Sequence, residues 1–559
     1  MDRIWLKHYP PGVPSEIRVD PEASLASLVL ESCRRYGERP AFRNWGTTLT
    51  YGELERRSQC FAAYLLSVGM KKGDRIALMM PNLLQYPITL FGALRAGLVV
   101  VNTNPLYTAR ELEHQLHDSG ARCIVVLANF AHVLQQVLPR TQIELVILTE
   151  LGDALRFPKG RVISWAARRV KKMVPKFRIE HALKLNDALD RGSRLPFSAP
   201  ALTGTDLAFL QYTGGTTGIA KGAMLTHSNM VANLQQVAAM WTSIIEDGKD
   251  VMVTPLPLYH VFCLTCNCLT FMHHGCLNVL ITNPRDLPAF VTELKRQRFS
   301  FITGVNTLYK ALMDQPGFEQ INFSAFKLAV AGGMALHPSV MDRWQTLSGK
   351  PLVEGYGLTE ASPVIACNVP GAQRAGTVGL PVPSTDLSIR DDGDRELGCD
   401  QPGELCVRGP QIMRGYWNRP EETAKTVDAD GWLHTGDIAF IDPDGFVRIV
   451  DRKKDMIIVS GFKVYPNEIE TVIASHPAVI EAGCIGVPDP DTGQAVKVFV
   501  VLRPGATVSV PELVEFCREQ LTGYKVPKHI VFCGSLPKTN VGKVLRRELQ
   551  QLERSQVHA

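Results

Sequence analysis

The sequence predicts an α/β protein: a large N-terminal domain of parallel-type sheets with covering helices, then a small α+β C-terminal domain. Three observations lead there. The chain has 559 residues, more than one hydrophobic core usually supports. Apolar runs alternate with amphipathic ones through most of its length, as in sheets buried under helices on both faces. After about residue 380 the texture changes to short strands and frequent turn signals.

Taken in order, the runs at 75–80, 98–101, 123–127 and 145–148 read as buried strands, and 86–96 as a helix ending at Gly97. A strand over 207–212 and a helix over 229–240 flank a glycine-rich loop, with Thr226 or Ser228 as the helix N-cap. A strand over 327–330 runs into Ala331-Gly332-Gly333. Later turns are Asp391-Asp392-Gly393, Asp442-Pro443-Asp444-Gly445 and Arg503-Pro504-Gly505, and Asp444-Gly445 joins 439–441 to 446–450 as a hairpin. The charged cluster Asp451-Arg452-Lys453-Lys454-Asp455 follows and marks the main boundary, dividing the chain into 1–451 and 452–559.

Hydrophobic residues make up 45% and charged residues 21%, an ordinary globular balance with no tract biased enough for disorder. A net charge of +5 does not indicate nucleic acid and suits anionic small substrates or an acidic lipid surface. Cys263, Cys266, Cys268 and Cys276 lie near His260, His273 and His274. Their apolar neighbours make this core rather than a metal site, and thirteen scattered cysteines fit a reducing compartment. No apolar signal region and no run of about 18 apolar residues occurs, so neither a leader nor a transmembrane helix is expected.

The strongest motif is Tyr212-Thr213-Gly214-Gly215-Thr216-Thr217-Gly218-Ile219-Ala220-Lys221-Gly222. Its glycines let backbone N–H groups approach an anion, three threonine hydroxyls add donors, and Lys221 adds a mobile positive charge. It is a phosphate grip but no Walker A loop, because Gly222 follows Lys221 where Ser or Thr would stand.

This string resembles the signature loop of the adenylate-forming superfamily, which holds acyl-CoA synthetases, firefly-type luciferases and nonribosomal-peptide adenylation domains. Further segments match in the same order, so the resemblance covers almost the whole chain. It implies that Thr213, Gly214, Gly215, Thr216, Thr217, Gly218 and Lys221 hold the β- and γ-phosphates of ATP. Gly332 and Gly333 would lie along the adenine and the acyl pocket. In Glu354-Gly355-Tyr356-Gly357-Leu358-Thr359-Glu360, Tyr356 would stack on adenine, Thr359 contact the α-phosphate and Glu360 bind Mg²⁺. A hard cation wants such oxygens. In Asp430-Gly431-Trp432-Leu433-His434-Thr435-Gly436-Asp437, Asp437 would accept bonds from the ribose hydroxyls. Arg452 resembles a nucleotide-contacting arginine, and Lys454 stands at a hinge where many relatives have Asp. Gly461 and Lys463 fall in the segment that would guide the pantetheine arm. In Pro537-Lys538-Thr539-Asn540-Val541-Gly542-Lys543, Lys543 resembles the adenylation lysine. The resemblance also fills in the fold: a β-barrel-like subdomain in the N-terminal part, and a C-terminal domain that is mobile.

The 430–454 block resembles the signature of fatty acyl-CoA synthetases. Amino-acid-activating relatives carry an Asp after the phosphate loop, and 255–263 has no acid. The implied reaction is activation of a long-chain fatty acid with ATP and Mg²⁺ and transfer to coenzyme A. The alternatives are a medium-chain or aryl acid ligase, an acyl-AMP ligase that loads a carrier protein, and a regulatory protein that binds nucleotide without chemistry. His260 reads either as a gate beside the thiol tunnel or as a packed core histidine. The segment 260–282 reads as acyl pocket or as plain core.

Residues 156–178 hold nine basic and no acidic side chains, interleaved with Phe157, Trp165, Met173 and Phe177. Such a segment suits an anionic membrane surface. The expected location is cytoplasmic and peripheral on the inner face of the membrane, with a homodimer left open.

Overall fold

The computed structural model describes residues 2–213, 220–539 and 542–557. Four sheets organise them. In the first, strands Arg75–Met79, Val99–Asn102, Cys123–Leu127, Leu145–Thr149, Leu183–Lys184 and Leu207–Thr213 run parallel, and Lys221–Thr226 closes the edge antiparallel. The second has a parallel centre, Leu352–Gly357, Leu328–Ala331, Phe301–Gly304, Val251–Thr254, Leu277–Leu280 and Pro40–Asn44, with antiparallel strands at both ends. The central strands are mostly apolar because helices cover both faces. Cys123–Leu127, for example, is buried at all five positions.

The helix Gln85–Arg95 is buried on every side, which explains why most of its residues between the terminal Gln85 and Arg95 are apolar or small around the whole circumference. The helix Tyr51–Ser67 starts where Thr50 and Glu53 form a reciprocal capping box. His227–Met240 starts at Thr226, whose side chain accepts from the Asn229 N–H. Of the two caps the sequence offered, the structure uses Thr226.

The expected barrel-like subdomain is corrected. Asp386–Arg390, Gly403–Arg408, Leu433–Ile441 and Val447–Arg452 form an open antiparallel sheet in that linear order. It does not close on itself, because its apolar face is already covered. Leu387, Ile389, Leu405, Val407, Leu433, Ala439, Ile441 and Val447 pack in one core with Trp5, Ile365 and Leu380.

Beyond Arg452 the chain enters the fourth sheet. Phe462–Val464, Ile457–Val459, Gly493–Leu502 and Val479–Asp489 pair antiparallel in that order, and His529–Phe532 joins Gly493–Leu502 in parallel. Pro466–Ala474 and Val510–Arg518 pack on it over a separate core around Ile469, Val498 and Leu513. No helix among the described residues is long and apolar enough to cross a membrane.

Candidate active site

Ligands of open α/β sheets bind beyond the carboxyl ends of parallel strands, and the large cleft here lies there. It has a volume of about 2220 Å³, and both the N-terminal sheets and the C-terminal segment wall it. Leu207–Thr213 delivers Thr213 to its rim, Leu328–Ala331 delivers Gly332 and Gly333, and Leu352–Gly357 delivers Glu354, Gly355, Tyr356 and Gly357. Two glycines are forced by geometry. A Cβ on Gly357 would lie 2.1 Å from the Pro363 carbonyl oxygen, and Gly333 has φ +79°.

Thr359, Glu360, His260, Asp437, Arg452, Lys454, Lys221 and Lys543 also line the cleft. Gly214, Gly215, Thr216, Thr217 and Gly218 lie outside the described residues. Two expected residues are not brought to the cleft. Gly461 is an exposed turn glycine with φ +83° and open space at its Cβ position. Lys463 pairs with Asp392 at 3.3 Å on the surface.

Three side chains interlock. The Tyr356 hydroxyl donates to Asp437 Oδ2 at 2.5 Å, and Arg452 Nε lies 3.0 Å from Asp437 Oδ1. Burial, then the Asp437 charge, pushes the Tyr356 phenol well above its usual pKa, so it stays a neutral donor. Glu354 Oε1 accepts from the Leu336 N–H at 3.0 Å, and burial raises this carboxyl to about 7. Glu360 Oε1 accepts from the Tyr416 hydroxyl at 2.7 Å. Lys221 Nζ sits 2.5 Å from Glu422 Oε2 and 5.1 Å from the centre of the Tyr416 ring.

Lys543 reaches this group from the C-terminal segment. Burial, with Arg452 adding to it, lowers its ammonium to about 8. The same two causes lower Lys454. His260 caps the helical turn Val261–Cys263, with Nδ1 accepting from the Phe262 N–H at 3.3 Å. Burial lowers its pKa to about 4, so the ring is neutral near pH 7.

Only the start of 260–282 faces the cleft. His260, Val261, Phe262 and Cys266 line it, beside Val237, Trp241, Val330 and Cys367. These form an apolar stretch of wall next to the polar one. Cys263, Cys268 and Cys276 are buried, the first donating to the Leu256 carbonyl at 2.8 Å. Among the described residues no group of three or more His, Cys, Asp or Glu is placed to hold a metal by itself. A cation here would take Glu360 and oxygens from a ligand, the usual arrangement for Mg²⁺ on a nucleotide.

Sequence reasoning missed Tyr416, Glu422 and Arg546. Tyr416 lies in Gly415-Tyr416-Trp417-Asn418, a string that reads as an ordinary loop. Its partner Glu360 is 56 positions away, a separation at which no local pattern signals contact.

Fold and cleft together define a two-domain α/β protein with a cavity at the junction of its domains, lined in part by the cationic side chains Lys221, Arg452, Lys454 and Lys543 and in part by apolar ones. The family described as "AMP-binding enzyme" matches residues 29–417, and "AMP-binding enzyme C-terminal domain" matches 468–543. The chain belongs to the AMP-binding enzyme family. It is 54% identical to the long-chain-fatty-acid–CoA ligase of Escherichia coli O157:H7, over 100% of this chain and 99% of that protein. It is 50% identical to the ligase of the same name in Haemophilus influenzae (strain ATCC 51907 / DSM 11121 / KW20 / Rd), over 99% of each. The solved structure of ATP-bound MatB from Rhodopseudomonas palustris superposes with a TM-score of 0.80 at 27% identity, covering 94% of this chain and 98% of that one.

Proposed function

We propose that the chain is a long-chain fatty acid–CoA ligase. It joins a fatty carboxylate to the α-phosphate of ATP with release of pyrophosphate, then passes the acyl group to the thiol of coenzyme A with release of AMP. The observation that carries this reading is the cleft itself. Cationic and donor side chains from both domains converge beside an apolar wall, as an acyl-adenylate requires. Full-length likeness to two proteins named for this reaction supports it.

The division of the chain is placed at 451/452 in this reading, within the last strand of the third sheet, Val447–Arg452, and ahead of Ile457–Val459 in the fourth. A fatty carboxylate is ionised at pH 7, so no general base is needed. The barrier is the approach of one anion to another, and positive groups fixed where charge develops lower it. Lys543 supplies such a charge from the C-terminal side. Lys221 and Thr213 hold the leaving phosphates together with the loop between them, and Thr359 meets the α-phosphate. Tyr356 packs its ring on adenine beside Glu354, Gly355 and Gly357, and Asp437, fixed by Arg452, accepts from the ribose. Glu360 would hold Mg²⁺, which neutralises phosphate charge when bound. Gly332 and Gly333 admit the acyl chain past His260 and Phe262. Each buried methylene is worth about 0.8 kcal/mol, roughly fourfold in affinity, so preference rises with chain length until the apolar wall ends. For the thioester step, rotation at Lys454 carries Lys543 away and brings Gly461 and Lys463 in.

The test is a panel of acids from acetate to oleate with benzoate and cinnamate, following AMP, pyrophosphate and thioester with and without coenzyme A. Coenzyme-A-dependent thioester formation that grows with chain length is expected. Preference for benzoate or cinnamate, or adenylate that never becomes thioester, would overturn the reading.

The chain also works at a lipid surface in this reading. Helix Lys159–Trp165 runs into a wider turn over Ala166–Val170. Phe157, Val162, Trp165, Val170 and Met173 are all more than half exposed there. Arg168 pairs with Glu150 at 2.6 Å, while Arg169, Lys171 and Lys172 are exposed. Reversing Arg161, Arg169, Lys171 and Lys172 to Glu should abolish co-flotation with anionic vesicles, at about 1 kcal/mol per charge removed. Equal flotation of variant and parent sinks the membrane contact.

A further inference from the structure

Glu360 and Lys221 lie on separate elements, and one side chain touches both. Residues 414–417 form an extra edge along the strand Lys221–Thr226: Met224 N–H donates to the Gly415 carbonyl at 2.9 Å, Arg414 N–H to Met224 at 3.0 Å, and Trp417 N–H to Gly222 at 2.8 Å. The Met413 N–H donates to the Glu360 carbonyl at 2.8 Å, so the same stretch also grips the segment that carries the carboxylate. Gly415 has φ +141°, and a Cβ there would lie 2.6 Å from Thr423 Cγ2. The chain therefore runs tight against the helix Pro420–Thr426, and the Tyr416 N–H donates to Thr423 Oγ1 at 2.9 Å. That helix carries Glu422, the present partner of Lys221.

Tyr416 is thus held by backbone pairing and helix contact, with 8% of its surface exposed. Its hydroxyl fixes Glu360 Oε1, and its ring face lies under the Lys221 ammonium. A carboxylate with one oxygen held by a neutral donor keeps the other for a cation in a defined orientation, as outer-shell partners of metal ligands do. The ring face favours a cation above it. We propose that Tyr416 is a positioning residue that sets Glu360 and Lys221 for a metal-bound nucleoside triphosphate. This rests on the ATP reading of the cleft.

The experiment measures ATP affinity of the full chain by calorimetry, in EDTA and across a Mn²⁺ titration, for the parent, Tyr416→Phe and Tyr416→Leu. Thermal unfolding is followed alongside. Tyr416→Phe keeps the ring and is expected to weaken Mn²⁺ binding in the ATP complex about tenfold, with metal-free ATP affinity unchanged. Tyr416→Leu is expected to weaken both. Mn²⁺ binding by Tyr416→Phe equal to the parent's overturns the proposal. So does an equal loss with and without Mn²⁺ accompanied by a lower unfolding temperature, which is the mark of a merely structural role. A parent that binds no ATP overturns the reading of the cleft on which the proposal stands.

Discussion

Lys543→Ala is expected to lower adenylate formation by a factor on the order of 10²–10³, the usual effect of deleting one group aimed at developing charge in an enclosed site. Thioester formation from supplied acyl-AMP and coenzyme A should stay near the parent rate, because in the proposed cycle Lys543 has left by then. Equal loss in both half-reactions would make Lys543 structural and sink its assignment. Its ionisation adds a second readout. Burial lowers the ammonium to about 8, so the charged form is complete only below that pH. kcat/KM for ATP, which reports the free enzyme, should fall about tenfold per pH unit above it. Lys543→Arg stays charged at any such pH and should remove the alkaline limb from the activity it retains. Unfolding does not mimic this limb. Between pH 8 and 10.5 the unfolded chain holds more proton on this lysine than the folded one, so its contribution to stability rises with pH.

The local elements were legible where periodicity and chemistry agree. The strand 123–127 matches residue for residue, because five consecutive apolar residues between a turn and a polar break have one reading. The helix after the phosphate loop begins two residues before the expected start, since Thr226 takes the cap and draws His227 and Ser228 into the first turn. Sheet membership was not legible. Pro40–Asn44 pairs with Leu277–Leu280, and nothing within either segment specifies that partner. The barrel expectation failed for the same reason, since closure depends on what covers the sheet. Among candidate site residues, those that the cleft gathers sit in strings that carry unusual chemistry together. Tyr416 and Arg546 were missed because each matters through contacts that only the fold creates.

Arg546→Ala should cost about 3–5 kcal/mol, the range for removing one partner of a buried ionic cluster. Arg546 lies 2.9 Å from Asp451, 3.2 Å from Asp455 and 2.8 Å from Glu470, and it also donates to Asn467. The Asp451 side chain is completely buried, and burial already raises Asp451 and Glu470 from their ordinary values. Without the guanidinium both must rise further. A folded-state pKa above the unfolded one gives stability that is present at low pH and lost as pH rises through the folded value. Urea unfolding should therefore show a larger deficit at pH 8 than at pH 5. A deficit under 1 kcal/mol at both, or one independent of pH, would mean that the cluster holds less than its geometry indicates. The positions of the partners tie this cluster to the proposed cycle. Asp451 precedes Lys454 and lies in the last strand of the third sheet, whereas Asp455 and Glu470 follow it on the C-terminal side. Rotation at Lys454 would preserve the latter two contacts and break the first. Arg546 is then both the anchor of the small domain and its catch on the large one. Asp451→Asn, which weakens only the catch, should favour thioester formation over adenylation while costing less stability than Arg546→Ala.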